Sequence, residues 1–215
     1  MMKRRGTLFG LVAAAAACLS AAAAAHPAGA PTLATTAHTI GFGTTITLRG
    51  AVPGARAGED VQILAHACGF SGPIPTGQVK TTAGGRYSYT VQPMLNSTFF
   101  VTARGTTSEG VAVHVQPSVQ LRRVNARTFA VDVSADNGTW FTKAVTLQRL
   151  DTHTGTWKPV ASAALAANSD PDALISVSSA TIHATVKRGA QVRAVVTQAT
   201  VGACYLPAAS APLQA

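Results

Sequence analysis

Thr82-Ala83-Gly84-Gly85-Arg86-Tyr87-Ser88-Tyr89-Thr90-Val91, continued by Gln92-Pro93-Met94-Leu95-Asn96-Ser97-Thr98-Phe99-Phe100-Val101, is the stretch from which the fold is read. Gly-Gly marks a tight turn, the residues after it alternate, Pro and Asn make a connection, and a second strand follows. Val79 to Thr82 enters the turn as the first arm of a hairpin. A period of two puts Tyr87 and Tyr89 on one face and Ser88 and Thr90 on the other. Paired tyrosines of this kind are expected to fill a sandwich interior or cover its rim.

The same grammar extends to both sides. Upstream, Thr44 to Gly50 alternates so that Ile46 and Leu48 share a buried face, and Val52 to Gly58 is rich in turn residues. Val61 to Cys68 is the next strand, with Val61 and Ile63 inward, and a Gly/Pro-rich loop is expected from Gly69 to Gly77. Downstream, Glu109-Gly110 reads as a turn, and Val111, Val113 and Val115 alternate as a final strand to Pro117. About seven strands in this span suit an immunoglobulin-like sandwich.

Thr44 to Gly50, Gly58 to Leu64, Gly84 to Tyr89, Pro93, Asn96 to Phe99 and the Val111-Val113-Val115 strand together resemble the bacterial immunoglobulin-like repeats of exported actinobacterial proteins, over roughly 31–117. That family has a (D/N)-G-x-(Y/W/F)-S turn and strand followed by P-x-x-N-T-x-Y/F. Gly84 stands where Asn or Asp is usual, and Phe99, where Tyr is usual, lacks the hydroxyl of a tyrosine corner. The resemblance implies the fold and an exported setting, with no shared catalytic site.

After Pro117-Ser118 a second set of strands begins without a spacer. Phe129, Val131 and Val133 point inward and Asp132 outward; Asn137-Gly138 marks a turn; Val145 and Leu147 share a face; His153 to Trp157 makes a hairpin turn. Ala173 to Val177, Thr181 to Val186 and Gln191 to Val196 complete the set. The G-x-W after a V-x-L-Q-R strand again resembles exported immunoglobulin-like proteins, less closely than the first half does. The expected fold is all-β: two immunoglobulin-like antiparallel β-sandwich domains, 31–117 and 118–215, behind a signal peptide at 1–25.

The signal peptide is read from the basic Met1 to Arg5, the apolar Leu8 to Ala25 and the small-residue end Ala23-Ala24-Ala25. An uncleaved anchor and a lipoprotein at Cys18 are the alternatives, and Ala15 to Ala17 lack the leucine a lipobox favours. Loss of Lys3, Arg4 and Arg5 lowers the formal charge from +9 to +6. A positive balance favours anionic surfaces, but the basic residues are scattered and only Arg122-Arg123 and Lys187-Arg188 are adjacent. A solubilising charge is the expectation. Cys68 and Cys204 remain in an export setting where disulfides persist. One intramolecular bond is the simplest outcome; free thiols and an intermolecular link stay open, because spacing does not report geometry.

Chemistry-bearing constellations are sparse. The histidines stand singly, and His66 with Cys68 would need two further ligands to hold a metal. No G-x-S-x-G elbow is present, and the one close acidic pair, Asp170 and Asp172 with Asn168 and Ser169, lacks the spacing of a calcium loop. The glycines punctuate strands and open no phosphate-binding helix. Asn96-Ser97-Thr98 and Asn137-Gly138-Thr139 match the N-glycosylation pattern by coincidence of composition. The expected function is therefore a non-enzymatic interaction or structural module at the cell envelope, without cofactor or nucleic acid, with a protein or glycan partner. Gly69 to Gly77 and Asp136 to Thr139 are its candidate contact loops. A carbohydrate-binding module stacking sugars on Trp140 and Trp157 is the alternative, and an envelope enzyme with convergent carboxylates or a Cys/His dyad is the second.

Overall fold

Alternation of apolar and polar residues dictates strands with one buried face, and two such faces must be brought together. A computed structural model describes residues 29–136, 140, 142–167 and 175–215. The expected leader at 1–25, the turn at 137–139 and the acidic loop at 168–172 lie outside the described residues.

The first half contains β1 (Ala34–Thr35), β2 (Thr39–Gly41), β3 (Ile46–Ala51), β4 (Asp60–Ala67), β5 (Ile74–Lys80), β6 (Arg86–Val91), β7 (Ser97–Ala103), β8 (Thr106–Thr107) and β9 (Val111–Gln116). They form two sheets, β1-β3-β6 and β2-β9-β7-β4-β5, with β8 paired to β7. Every pairing is antiparallel except β2 with β9. Ile46, Leu48 and Tyr87 from one sheet, and Val61, Ile63, Phe99, Val101, Val113 and Val115 from the other, are buried. Tyr89 is half-buried at the rim and its hydroxyl donates to the Thr76 carbonyl (3.1 Å).

The Gly84-Gly85 turn differs from its reading. It joins no hairpin: β5 pairs with β4 and β6 pairs with β3, so the turn carries the chain from one sheet to the other. Thr82 N–H donates to the Arg86 carbonyl (2.7 Å) and Gly85 N–H to that of Thr82 (3.0 Å), closing a single helical turn. Gly85 also accepts from Val52 N–H at 2.9 Å, and a Cβ there would lie 2.3 Å from the Val52 carbonyl. The glycine is required by this close approach and by its φ of 70°.

Two further turns depart from expectation. The tight hairpin is at Arg104-Gly105, where φ values of 51° and 73° form the primed turn between β7 and β8, upstream of the expected Glu109-Gly110. The expected 69–77 loop ends early, because Ile74 already pairs with Ala65. Pro75 and Gly77 read as loop residues, yet an edge strand accepts a proline and the register skips Thr76 there as a bulge.

The second half contains β10 (Ser118–Asn125), β11 (Thr128–Asp136), β12 (Ala144–Asp151), β13 (Thr156–Ala164), β14 (Ala166–Ala167), β15 (Ile175–His183), β16 (Gln191–Val196), the single helical turn α1 (Gln198–Val201), β17 (Ala208–Ala209) and β18 (Leu213–Gln214). Its sheets are β10-β11-β15-β14 and β13-β12-β16-β17, with β18 also on β16. Phe129, Val131, Val133, Val145, Leu147, Val192 and Val196 are fully buried, and the inward faces fall where the alternation puts them. Over 173–186 two strands were expected, and one, β15, is found. Its serines, which look like a break, are satisfied within the sandwich: Ser178 Oγ accepts from Trp140 N–H (3.3 Å) and Ser179 Oγ donates to Asp132 (2.5 Å). Among the described residues no strand pairing crosses Pro117, and no helix is long and apolar enough to cross a membrane.

Candidate functional site

β4 ends at Ala67, and the next residue, Cys68, is held by its N–H on the Asn96 carbonyl (2.8 Å). On the other side, β16 runs into α1, and the segment behind it folds back against the first half. Cys204 on that segment bonds Cys68, with sulfurs 2.00 Å and Cα atoms 5.2 Å apart across a separation of 136 residues. The intramolecular disulfide is thus the one of the three alternatives that the structure contains.

Asn96 is the polar centre of this junction. Its side-chain amide donates to the Ala203 carbonyl (3.0 Å) and accepts from Val115 N–H (2.8 Å). Its own N–H donates to the Cys204 carbonyl at 3.0 Å. Leu206 N–H donates to Val115 (2.8 Å), and Gln116 Nε2 donates to Pro207 (2.9 Å). With the Cys68 N–H bond to Asn96, six hydrogen bonds and a disulfide therefore meet within a few residues. In the sequence Asn96 stands out as part of the P-x-x-N motif of the resemblance and as a glycosylation pattern; nothing local reveals that its amide is committed to a segment 107 residues away.

The returning segment is fixed to the second half as firmly. Tyr205 is buried, its hydroxyl donating to the Asp136 carbonyl and accepting from Asp136 N–H, both at 3.1 Å. Gln198 Nε2 donates to the Tyr205 carbonyl (3.0 Å) and Thr200 Oγ1 to that of Ala144 (2.8 Å). Burial pushes the Tyr205 phenol up to about 12, the Asp136 N–H bond opposing the rise and the nearby carboxylate adding to it.

Trp140 stacks nothing from solvent: it is 6% exposed and meets the Tyr205 ring edge-on, centroids 5.5 Å apart. The carbohydrate-binding alternative has it as a sugar platform; it is instead a core residue, packed on Tyr205. Trp157 is half-buried, and the Arg193 guanidinium lies over its ring, 4.4 Å from the centroid. The two rings do not converge on one surface.

His66 and Cys68 border a shallow hollow of about 230 Å³ with Asn96, Thr98 and His114. Cys68 has no thiolate to offer a metal, its sulfur being in the disulfide, and His66 Nε2 lies 3.0 Å from the Phe70 carbonyl. Of the candidate contact loops, 69–77 is shortened by β5, and Phe70 (52% exposed) and Ile74 (46%) stand out from it beside the disulfide. The arrangement can hold the two halves of the chain in one relation; it brings together no nucleophile and base. No protein-family model matches the chain, and no curated protein matches it.

Proposed function

We propose that the chain is an exported, non-enzymatic protein of two immunoglobulin-like domains, 31–117 and 118–215, serving as a rigid interaction or structural module at the cell envelope. The single observation that carries this reading is the Cys68–Cys204 disulfide across the junction. A bond of that kind persists in oxidising compartments, which agrees with a leader whose apolar run ends in Ala23-Ala24-Ala25. The immunoglobulin-like assignment is supported by the sheet order, three strands β1-β3-β6 against β2-β9-β7-β4-β5, with β2 parallel to β9 at one edge.

Crosslinking in intact envelopes tests the proposal. The expected result is an extracytoplasmic protein starting near His26, oxidised at Cys68 and Cys204, and crosslinked to a wall or surface component. Recovery from the cytosol with both thiols free overturns it. The carbohydrate-binding alternative through aromatic stacking is left with Trp157, half-buried and with Arg193 over one face, because Trp140 is buried. With its sulfur bonded to Cys204, Cys68 has no thiolate to act beside His66.

A further inference from the structure

The basic residues of the second half are spread from Arg122 to Arg193 in sequence, and their two adjacent pairs stand far apart. The fold gathers them. The β10–β11 turn places Arg123 and Arg127 beside the end of β15, where Ala184 N–H donates to the Arg127 carbonyl (2.9 Å). The segment after β15 then crosses to the other sheet, carrying Lys187 and Arg188 to the start of β16. There Val192 lies opposite Arg149 of β12, and Arg149 lies directly opposite Lys158 of β13. The other end of these strands leads to Asp136, Tyr205 and Cys204, so this cluster occupies the end remote from the disulfide.

Little neutralises it. Among the described residues, Lys158 has an acidic partner, Asp151 at 2.6 Å, while Arg123, Arg127, Arg149, Lys187 and Arg188 have none. Asp151 stays ionised, its carboxyl held below the usual range by Lys158 and by the His153 N–H. Between the β12–β13 turn and the 187–191 segment lies an open hollow of about 510 Å³, lined by Arg149, Asp151, His153, Lys187, Arg188 and Gln191, the Asp151 carboxylate being paired with Lys158. Like charges facing each other across strands are unfavourable, and charges closer than the Debye length of roughly 8 to 10 Å reinforce one another's potential.

We propose that this end docks a polyanionic polysaccharide, one anionic group seated in the hollow against Arg149, Lys187 and Arg188, and a neighbouring group reaching Arg123 and Arg127. A polymer fits because the cations span the ends of both sheets, about 10 Å apart in a sandwich, which is wider than one phosphate, sulfate or carboxylate. The tryptophan at this end has Arg193 over one face of its ring, and no Trp, Tyr or Phe lines the hollow to continue a stack of nucleic-acid bases. The choice of a glycan also rests on the exported setting proposed above.

The test titrates the purified chain with fluorescent dextran sulfate and with polygalacturonate at about 0.1 M salt, against neutral dextran, phosphatidylglycerol-containing vesicles and a single-stranded oligothymidine. Arg149→Gln/Lys187→Gln/Arg188→Gln is compared with Arg49→Gln/Arg56→Gln/Arg86→Gln, which removes the same charge from exposed sites of the first half. Expected is binding to the anionic glycans and not to dextran, weakened about tenfold or more by the first triple and less than about twofold by the second, with a steep fall as salt rises. Matching near-ultraviolet circular dichroism and melting of the two triples shows that both are folded; if the first is not, Lys187→Gln/Arg188→Gln takes its place. No binding to either glycan, equal loss in both triples, or tighter binding to vesicles or oligothymidine overturns the proposal. These results are distinct from a cytosolic, reduced chain, which would overturn the exported setting alone.

Discussion

Asn96 shows how much of this molecule hangs on a single amide. It is half-buried and joins β9, the end of β4 and the 203–204 backbone. Asn96→Ala leaves the Val115 N–H and the Ala203 carbonyl without those partners, and a loss of roughly 1 to 3 kcal/mol is expected in urea unfolding. Asn96→Asp keeps the acceptor for Val115 and lies between the two. Tyr205 gives a pH signature. Its folded pKa of about 12 lies above the unfolded value of roughly 10. The neutral phenol's contribution is therefore intact below about pH 10 and is lost as the pH rises through about 12. The denaturation midpoint should fall over that window, and less steeply in Tyr205→Phe; burial raises Tyr87 as well, so some fall remains. Neither residue was legible as a site. Asn96 carried a fold motif and a misleading glycosylation pattern, neither of which names its partners, and Tyr205 sits in a short stretch with no alternation, since its role depends on where a returning segment lands.

Strands were legible where the period of two is unbroken. Val113 and Val115, and likewise Phe129, Val131 and Val133, point inward as their alternation requires, because a one-residue slip would turn every one of them to solvent. Partners were not legible. A Gly-Gly turn reads the same whether the chain returns beside itself or crosses to the facing sheet, and only the whole sandwich decides that β6 pairs with β3. Serines within β15 were misleading for a related reason, their partners Trp140 and Asp132 lying on other segments. The sheet-crossing turn makes its own prediction. Gly85→Ala sets a Cβ against the Val52 carbonyl in a left-handed backbone, and a loss of about 2 to 3 kcal/mol in chemical denaturation is expected.

At the scale of the whole molecule, the eligibility of two cysteines was readable, while the junction and the basic end were not, because both arise from residues distant in sequence. The disulfide closes 136 residues, and in the chain-entropy account such a loop contributes on the order of 5 kcal/mol. Reduction, or Cys68→Ser with Cys204→Ser, is expected to lower stability by about 3 to 5 kcal/mol, read as a shift in the guanidinium midpoint with the oxidised chain as reference. The hydrogen bonds around Asn96 should keep the halves docked after reduction at neutral pH without denaturant, so small-angle scattering of the native reduced chain is expected to change little. The same bond also decides how the molecule carries mechanical load. Tension applied at residue 29 and at Ala215 passes from Cys68 to Cys204 through sulfur, so that β5 to β16 are bypassed and only 29–68 and 204–215 can lengthen. A chain anchored at one end and pulled at the other would thus have a short, fixed reach while oxidised, and a long one once reduced.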